Sequence, residues 1–221
     1  MWGTAGNLSA RAPGSASITI TPRGASKGTL KTSDLITIKE GSIQDLNNRG
    51  RIASAETAIH QAVYRAIPEA RAVFHVHPIY STLISRLYGN PKRVRPLKIE
   101  WFEMLKGVGI GEKDRSEIAI FPNWQNVAKV AQDLTGYLKT QKKVVPAFLI
   151  YNHGLTAWGS TPEQAKNRLE IIEYVCQYLF LKTKGHTKPI RQPGSAKDSG
   201  LWVSDDFDDP LPEDILRSFY S

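Results

Sequence analysis

Polar and apolar residues alternate over 17–21 (Ser-Ile-Thr-Ile-Thr) and 35–38 (Leu-Ile-Thr-Ile), the period of strands with one buried face. A Gly-rich turn, Pro22-Arg23-Gly24-Ala25-Ser26-Lys27-Gly28, separates them. From Ser54 the period lengthens: Ala55, Ala58, Ile59, Ala62, Val63 and Ala66 fall at helical spacing, with Ser54 as N-cap and Pro68 closing the helix. The chain then enters the β-branched, apolar run Ala72-Val73-Phe74-His75-Val76-His77, read as a strand. Further along, the pattern predicts a helix over 81–87, strands over 97–101 and 118–120, and a helix over 123–139. An apolar strand over 147–153 and the apolar Thr156-Ala157-Trp158 follow, then a long helix over 161–182 with Pro162 in its first turn. Helices and strands alternate, so the class is α/β (or α+β), with helices covering a central sheet. Several strands lie too close in sequence for parallel crossovers, and antiparallel pairing should dominate.

Composition narrows this picture to one main domain, because 221 residues with 41% hydrophobic and 23% charged content suit one substantial core. Residues 1–184 carry that domain. From 185 the texture becomes a Pro/Gly linker followed by an acidic tail. The single Cys176 cannot form an internal disulfide, and its helical setting suggests a buried, unreactive thiol suited to a reducing cytoplasm. No apolar run approaches the ~18 residues of a membrane span, and residues 1–6 lack the features of a signal peptide. The net charge of +8 is uneven: residues 197–221 carry −5 and residues 1–196 carry +13. No nucleic-acid-binding pattern accompanies the basic body. A phosphorylated small substrate accounts for the bias, as does dispersed surface charge.

The candidate chemistry begins at His75 and His77, which leave the same face of one strand and can share a metal ion. His153, at the end of an apolar run before Gly154, supplies a third imidazole, and three imidazoles with an open position equip a catalytic zinc. The alternative is that the pair is core or interface packing. Gly6-Asn7-Leu8-Ser9, the turn at Gly24 and Ser54 before a helix offer backbone amides and hydroxyls to an anion. Glu56, in the first turn of that helix, is a candidate metal ligand or acid/base. His60 reads as a local partner or a solvated residue. Glu103, among Trp101, Phe102, Met104 and Leu105, is expected to be partly buried, with its pKa raised toward that of a proton carrier.

Gly6-Asn7-Leu8-Ser9, Ser54-Ala55-Glu56, His75-Val76-His77 and Asn152-His153-Gly154 with Trp158-Gly159 together resemble the class II aldolase/adducin family over roughly residues 3–182. Glu103-Met104-Leu105-Lys106-Gly107 resembles the methylthioribulose-1-phosphate dehydratase branch of methionine salvage. The resemblance implies a three-layer α-β-α fold with a mainly antiparallel mixed sheet. It implies one zinc per subunit on His75, His77 and His153, and a homotetramer with sites between subunits. Glu103 would be the acid/base, Glu56 a second candidate in that role, and Gly6, Asn7, Ser9, Gly24 and Ser54 would grip a phosphorylated ketose. Alternatives are an aldolase or epimerase on another sugar phosphate, using Glu56, and a binding protein without catalysis. Two departures stand out. The family's opening helix is not supplied by the five residues before Gly6, and the segment 191–212 resembles the C-terminal part of small bacterial antitoxin-like proteins, a passive extension or a partner-binding strip.

Overall fold

The structure, a computed structural model, describes residues 6–46, 50–101, 103–114, 116–141, 144–185 and residue 213. The chain divides into two compact units, 1–183 and 184–221. The tail segment 191–212 lies outside the described residues.

Eight strands form one sheet in the order β3-β2-β1-β4-β8-β7-β6-β5. They are β1 (Asn7–Ala10), β2 (Ser17–Ile20), β3 (Ile36–Lys39), β4 (Ala72–Val76), β5 (Arg95–Ile99), β6 (Ser116–Phe121), β7 (Ala147–Ile150) and β8 (Gly154–Gly159). Helices α1 (Thr57–Ala66), α2 (Ile79–Tyr88), α3 (Val127–Thr140) and α4 (Pro162–Gly185) cover it. Only β6 and β7 pair in parallel, joined through α3 as a parallel crossover requires; the other pairs are antiparallel.

The strand period of two sorts the residues into two cores. Ala119 and Phe121 of β6, Phe148 and Ile150 of β7 and Trp158 of β8 pack with Ile59 and Val63 of α1 and Leu134 of α3. Ile118, Ile120, Leu149, Leu155 and Ala157, from the same strands, pack with Ile84 of α2 and Ile172 and Val175 of α4. This is a three-layer arrangement with both sheet faces covered. Phe121 and Phe148 meet edge to face at 5.3 Å, and burying each ring contributes on the order of 1.5–3 kcal/mol. At the start of α4, Thr161 Oγ1 accepts from the Gln164 amide while Gln164 Oε1 accepts from the Ser160 amide, and Pro162 fills the first turn.

One element is new and two local expectations are corrected. Residues 7–10, which the hydrophobic pattern does not mark as an element, form a strand near the middle of the sheet. The helix after Ser54 starts at Thr57, with Glu56 at the N-cap position; the Ser54 carbonyl accepts from both Thr57 N and Thr57 Oγ1, and its hydroxyl caps nothing strongly. His153 lies in the turn between β7 and β8 instead of ending a strand.

Candidate metal centre

β4 carries Val73 and His75 toward the α1/α3 face, while Phe74 and Val76 pack into the opposite core. The register places Asn7 opposite His75, Ser9 opposite Val73, and Thr156 of β8 opposite His75. These polar side chains therefore share one face. His75 is fully buried, and its Nδ1 lies 2.8 Å from Thr156 Oγ1, a hydrogen bond that fixes the ring with Nε2 turned inward and that, with the proton on Nδ1, leaves Nε2 as a lone pair. The His77 Nε2 faces it at 2.8 Å.

The tight β7–β8 turn delivers His153. Asn152 takes φ 50°, which asparagine tolerates, and its amide donates to Ser85 Oγ of α2 at 2.9 Å. Thr82 Oγ1 of α2 donates to the His153 carbonyl at 3.0 Å. The three imidazole rings lie 4.5 to 5.0 Å apart. From the start of α1, Glu56 Oε1 reaches 3.4 Å from His75 Nε2 and 3.2 Å from His153 Nε2. Among the described residues, Glu56, His75, His77 and His153 offer four ligand atoms within 4.8 Å of one another, so this group could hold a metal.

The electrostatics suit a cation. Burial lowers the His75 pKa to about 3, so this imidazole is neutral at physiological pH; burial and the neighbouring His153 also lower His77. Burial pushes the Glu56 carboxyl up, but the hydrogen bond with His153, the electrostatic influence of the His75 and His153 rings and the Asn7 amide outweigh it, and the net shift is downward. An ionised carboxylate thus faces an imidazole that carries no charge of its own at neutral pH. A divalent cation would supply the missing counter-charge, and neutral imidazole nitrogens with a carboxylate oxygen are donors that suit first-row metals. The buried His153 Nδ1 lacks a partner, while its Nε2 is turned to Glu56.

Behind Glu56 lies a chain of buried polar groups. Asn7 Nδ2 donates to Glu56 Oε2, and Asn7 Oδ1 is hydrogen-bonded to His60 Nε2. His60 Nδ1 lies 2.7 Å from Ser9 Oγ, which lies 2.8 Å from the Tyr64 hydroxyl. His60 is 0% exposed, so of its two expected readings the solvated one fails and the local partner stands, and burial lowers its pKa to about 4. Burial raises Tyr64 to about 12. The helical period of α1 did not reveal His60 as buried; the signal was its spacing from Tyr64 and from Glu56, four residues either way.

The residues expected at a phosphate are divided between two places. The side chains of Asn7 and Ser9 are buried and engaged in the chain just described. Gly24, with φ 73°, lines an open cavity of ≈ 340 Å³ with Arg23, Ser26, Asp34 and Arg51. Ser54 connects the two, its amide donating to the Thr21 carbonyl and its hydroxyl accepting from Glu56 N. Gly6, with φ 76°, turns the chain into β1.

Glu103 differs from its expected setting. It opens a 3-10 turn, Glu103–Val108, with its side chain 73% exposed and paired with Lys106 Nζ at 2.8 Å. Leu105 and Val108, three apart, take the inward face of that turn. The four-residue group does not include Glu103. No helix among the described residues is long and apolar enough to cross a membrane.

Comparison with known proteins agrees with this architecture. Residues 1–180 match the family model described as Class II Aldolase and Adducin N-terminal domain. The chain is 40% identical over 181 residues to a methylthioribulose-1-phosphate dehydratase of Microcystis aeruginosa, covering 81% of this chain and 86% of the relative. It is 36% identical over 185 residues to the protein of that name from Methylococcus capsulatus, covering 83% and 84%. In fold it is similar to L-fuculose-1-phosphate aldolase from Thermus thermophilus, with a TM-score of 0.63 at 23% identity, over 85% of this chain and 88% of that one. The chain belongs to the class II aldolase/adducin family.

Proposed function

We propose that the chain is a zinc-dependent dehydratase that converts 5-methylthioribulose 1-phosphate to 2,3-diketo-5-methylthiopentyl 1-phosphate and water in methionine salvage. The observation that carries this reading is the convergence of His75, His77, His153 and Glu56, in a chain whose relatives bear that enzyme's name. Zinc on the three histidines, one per subunit, supplies Lewis acidity toward the substrate's C2 ketone oxygen. Glu56, held ionised beside them, accepts the proton from C3. Glu103 gives a proton to the C4 hydroxyl, which departs as water, and the enol left behind tautomerises to the diketone. Gly24, Ser54 and the backbone at Gly6, with Arg23 at the cavity rim, hold the phosphate. The side chains of Asn7 and Ser9 contribute by fixing Glu56. A homotetramer with sites between subunits accommodates the exposure of Glu103 in a single chain. The buried free thiol of Cys176 is compatible with the cytoplasm.

The test is to supply methylthioribulose 1-phosphate to zinc-loaded protein and follow diketone formation, with metal-stripped protein as control. Turnover that requires zinc is expected; a fully metallated protein with no turnover sinks the reading. A second reading, aldol cleavage or epimerisation of another sugar phosphate with Glu56 as the working acid/base, is favoured by the position of Glu56 within the group. The pair E56Q and E103Q separates them. Dehydration requires that E103Q abolish turnover while zinc stays bound, whereas the second reading tolerates E103Q and fails with E56Q.

A further inference from the structure

We propose that His60, through Asn7, is a positioning residue for the metal centre: it fixes the Asn7 amide and so sets the orientation in which the Glu56 carboxylate faces the imidazoles. This rests on reading Glu56, His75, His77 and His153 as a metal centre. His60 itself touches none of the three histidines through any hydrogen bond in the structure; its partners are Asn7 and Ser9.

The direction of every hydrogen bond in the chain follows from one charge. An ionised Glu56 can only accept, so Asn7 must present its NH2 group to Oε2. That leaves Asn7 Oδ1, an acceptor, against His60 Nε2, which must therefore carry the ring proton. His60 Nδ1 is then a lone pair and takes the single hydroxyl proton of Ser9. With its own proton spent, Ser9 Oγ accepts from the Tyr64 hydroxyl. Each group is buried or nearly so, and a reversed link leaves two lone pairs or two protons in contact without water to relieve them.

The other tautomer of His60 would put a lone pair against Asn7 Oδ1. The amide would then rotate to bring Nδ2 to the ring and Oδ1 against the Glu56 carboxylate, where like charge repels it. In the observed arrangement Asn7 takes Oε2, and Oε1 is left 3.4 and 3.2 Å from the Nε2 atoms of His75 and His153. Thr156 performs the matching task on the other side by fixing His75.

The experiment compares wild type, H60Q and H60L. Glutamine retains an N–H donor for Asn7 Oδ1, and leucine removes it. Metal affinity is read by chelator competition with zinc, and ligand geometry by the visible absorption of the cobalt-substituted protein. H60L is expected to bind metal about 10- to 100-fold more weakly with an altered cobalt spectrum, the size typical of losing a supporting partner, and H60Q within about threefold of wild type. A merely structural role predicts that both variants lose stability and that the folded fraction binds metal as wild type does; that outcome overturns the proposal. Independently of metal, long-range proton–nitrogen spectra of 15N-histidine-labelled wild type report the His60 tautomer. The Nε2–H form is expected, and the Nδ1–H form overturns the proposal even if H60L cannot be obtained folded. If wild type binds no zinc, the metal-centre reading fails with it, and the proposal falls as well; zinc binding with equal affinity in H60L fails the proposal alone.

Discussion

A methyl group at Gly154 would arrive 2.3 Å from the Val76 carbonyl oxygen, 2.7 Å from His77 Cδ2 and 3.3 Å from His75 Cε1. Backbone and ligand rings would both have to move, so G154A is expected to lose roughly 1–3 kcal/mol of stability and to weaken metal binding, measured by urea unfolding and zinc titration. A second residue-scale prediction concerns acid. His60 and His75 have folded pKa values of about 4 and about 3 against 6.5 for free histidine. Between those values the unfolded chain binds more protons than the folded one, so stability is full above pH 6.5 and falls as pH drops below it. Each group contributes a slope of about 1.4 kcal/mol per pH unit. Metal-free protein should therefore be less stable at pH 5.5 than at 7.5 by roughly 2–3 kcal/mol, and equal stability at both would mean that these imidazoles are not held neutral. His75 on β4, His77 just past its end and the third imidazole before Gly154 were legible because strand period and a glycine turn leave a trace in sequence. His60 was not, since its partners Asn7 and Ser9 are contributed by a strand fifty residues away.

β1 illustrates what hides an element. In Asn7-Leu8-Ser9-Ala10 the positions facing the α1 side are the polar ones, Asn7 and Ser9, because that face holds the supports of Glu56 instead of an apolar core. The usual alternation is inverted there, and only the register with β4 shows the run to be a strand. The segment after Trp101 misled in the opposite sense: its apolar residues suggested burial for Glu103, but a three-residue turn sends Leu105 and Val108 inward and leaves Glu103 and Met104 outside. The long helix was the easiest element to read, with Pro162 in its first turn and a hydroxyl before it. Thr161→Ala removes the acceptor for the Gln164 amide and is expected to cost about 1 kcal/mol in urea unfolding, without changing zinc affinity.

For the whole molecule, the alternation of helices with short strands announced both the class and the dominance of antiparallel pairing, since six of the seven strand pairs run that way. The order of strands was not legible, because it depends on which faces find partners across the sheet. Residues 1–196 carry 27 basic against 14 acidic side chains. If this field draws in a phosphorylated substrate, kcat/KM should fall several-fold as salt is raised from about 0.05 to 0.3 M while kcat holds; an unchanged kcat/KM would confine the charge to solubility. The pairing of β4 with β8 has a kinetic consequence. It sets His75 beside Thr156, partners 81 residues apart in the chain, and the hairpin turn that leads into β8 carries His153. Closing so long a loop comes after local helix formation, so the donors cannot gather until the centre of the sheet has zipped up. In refolding, capture of cobalt should lag behind the recovery of helical circular dichroism, which makes the metal a clock for the last long-range step of folding.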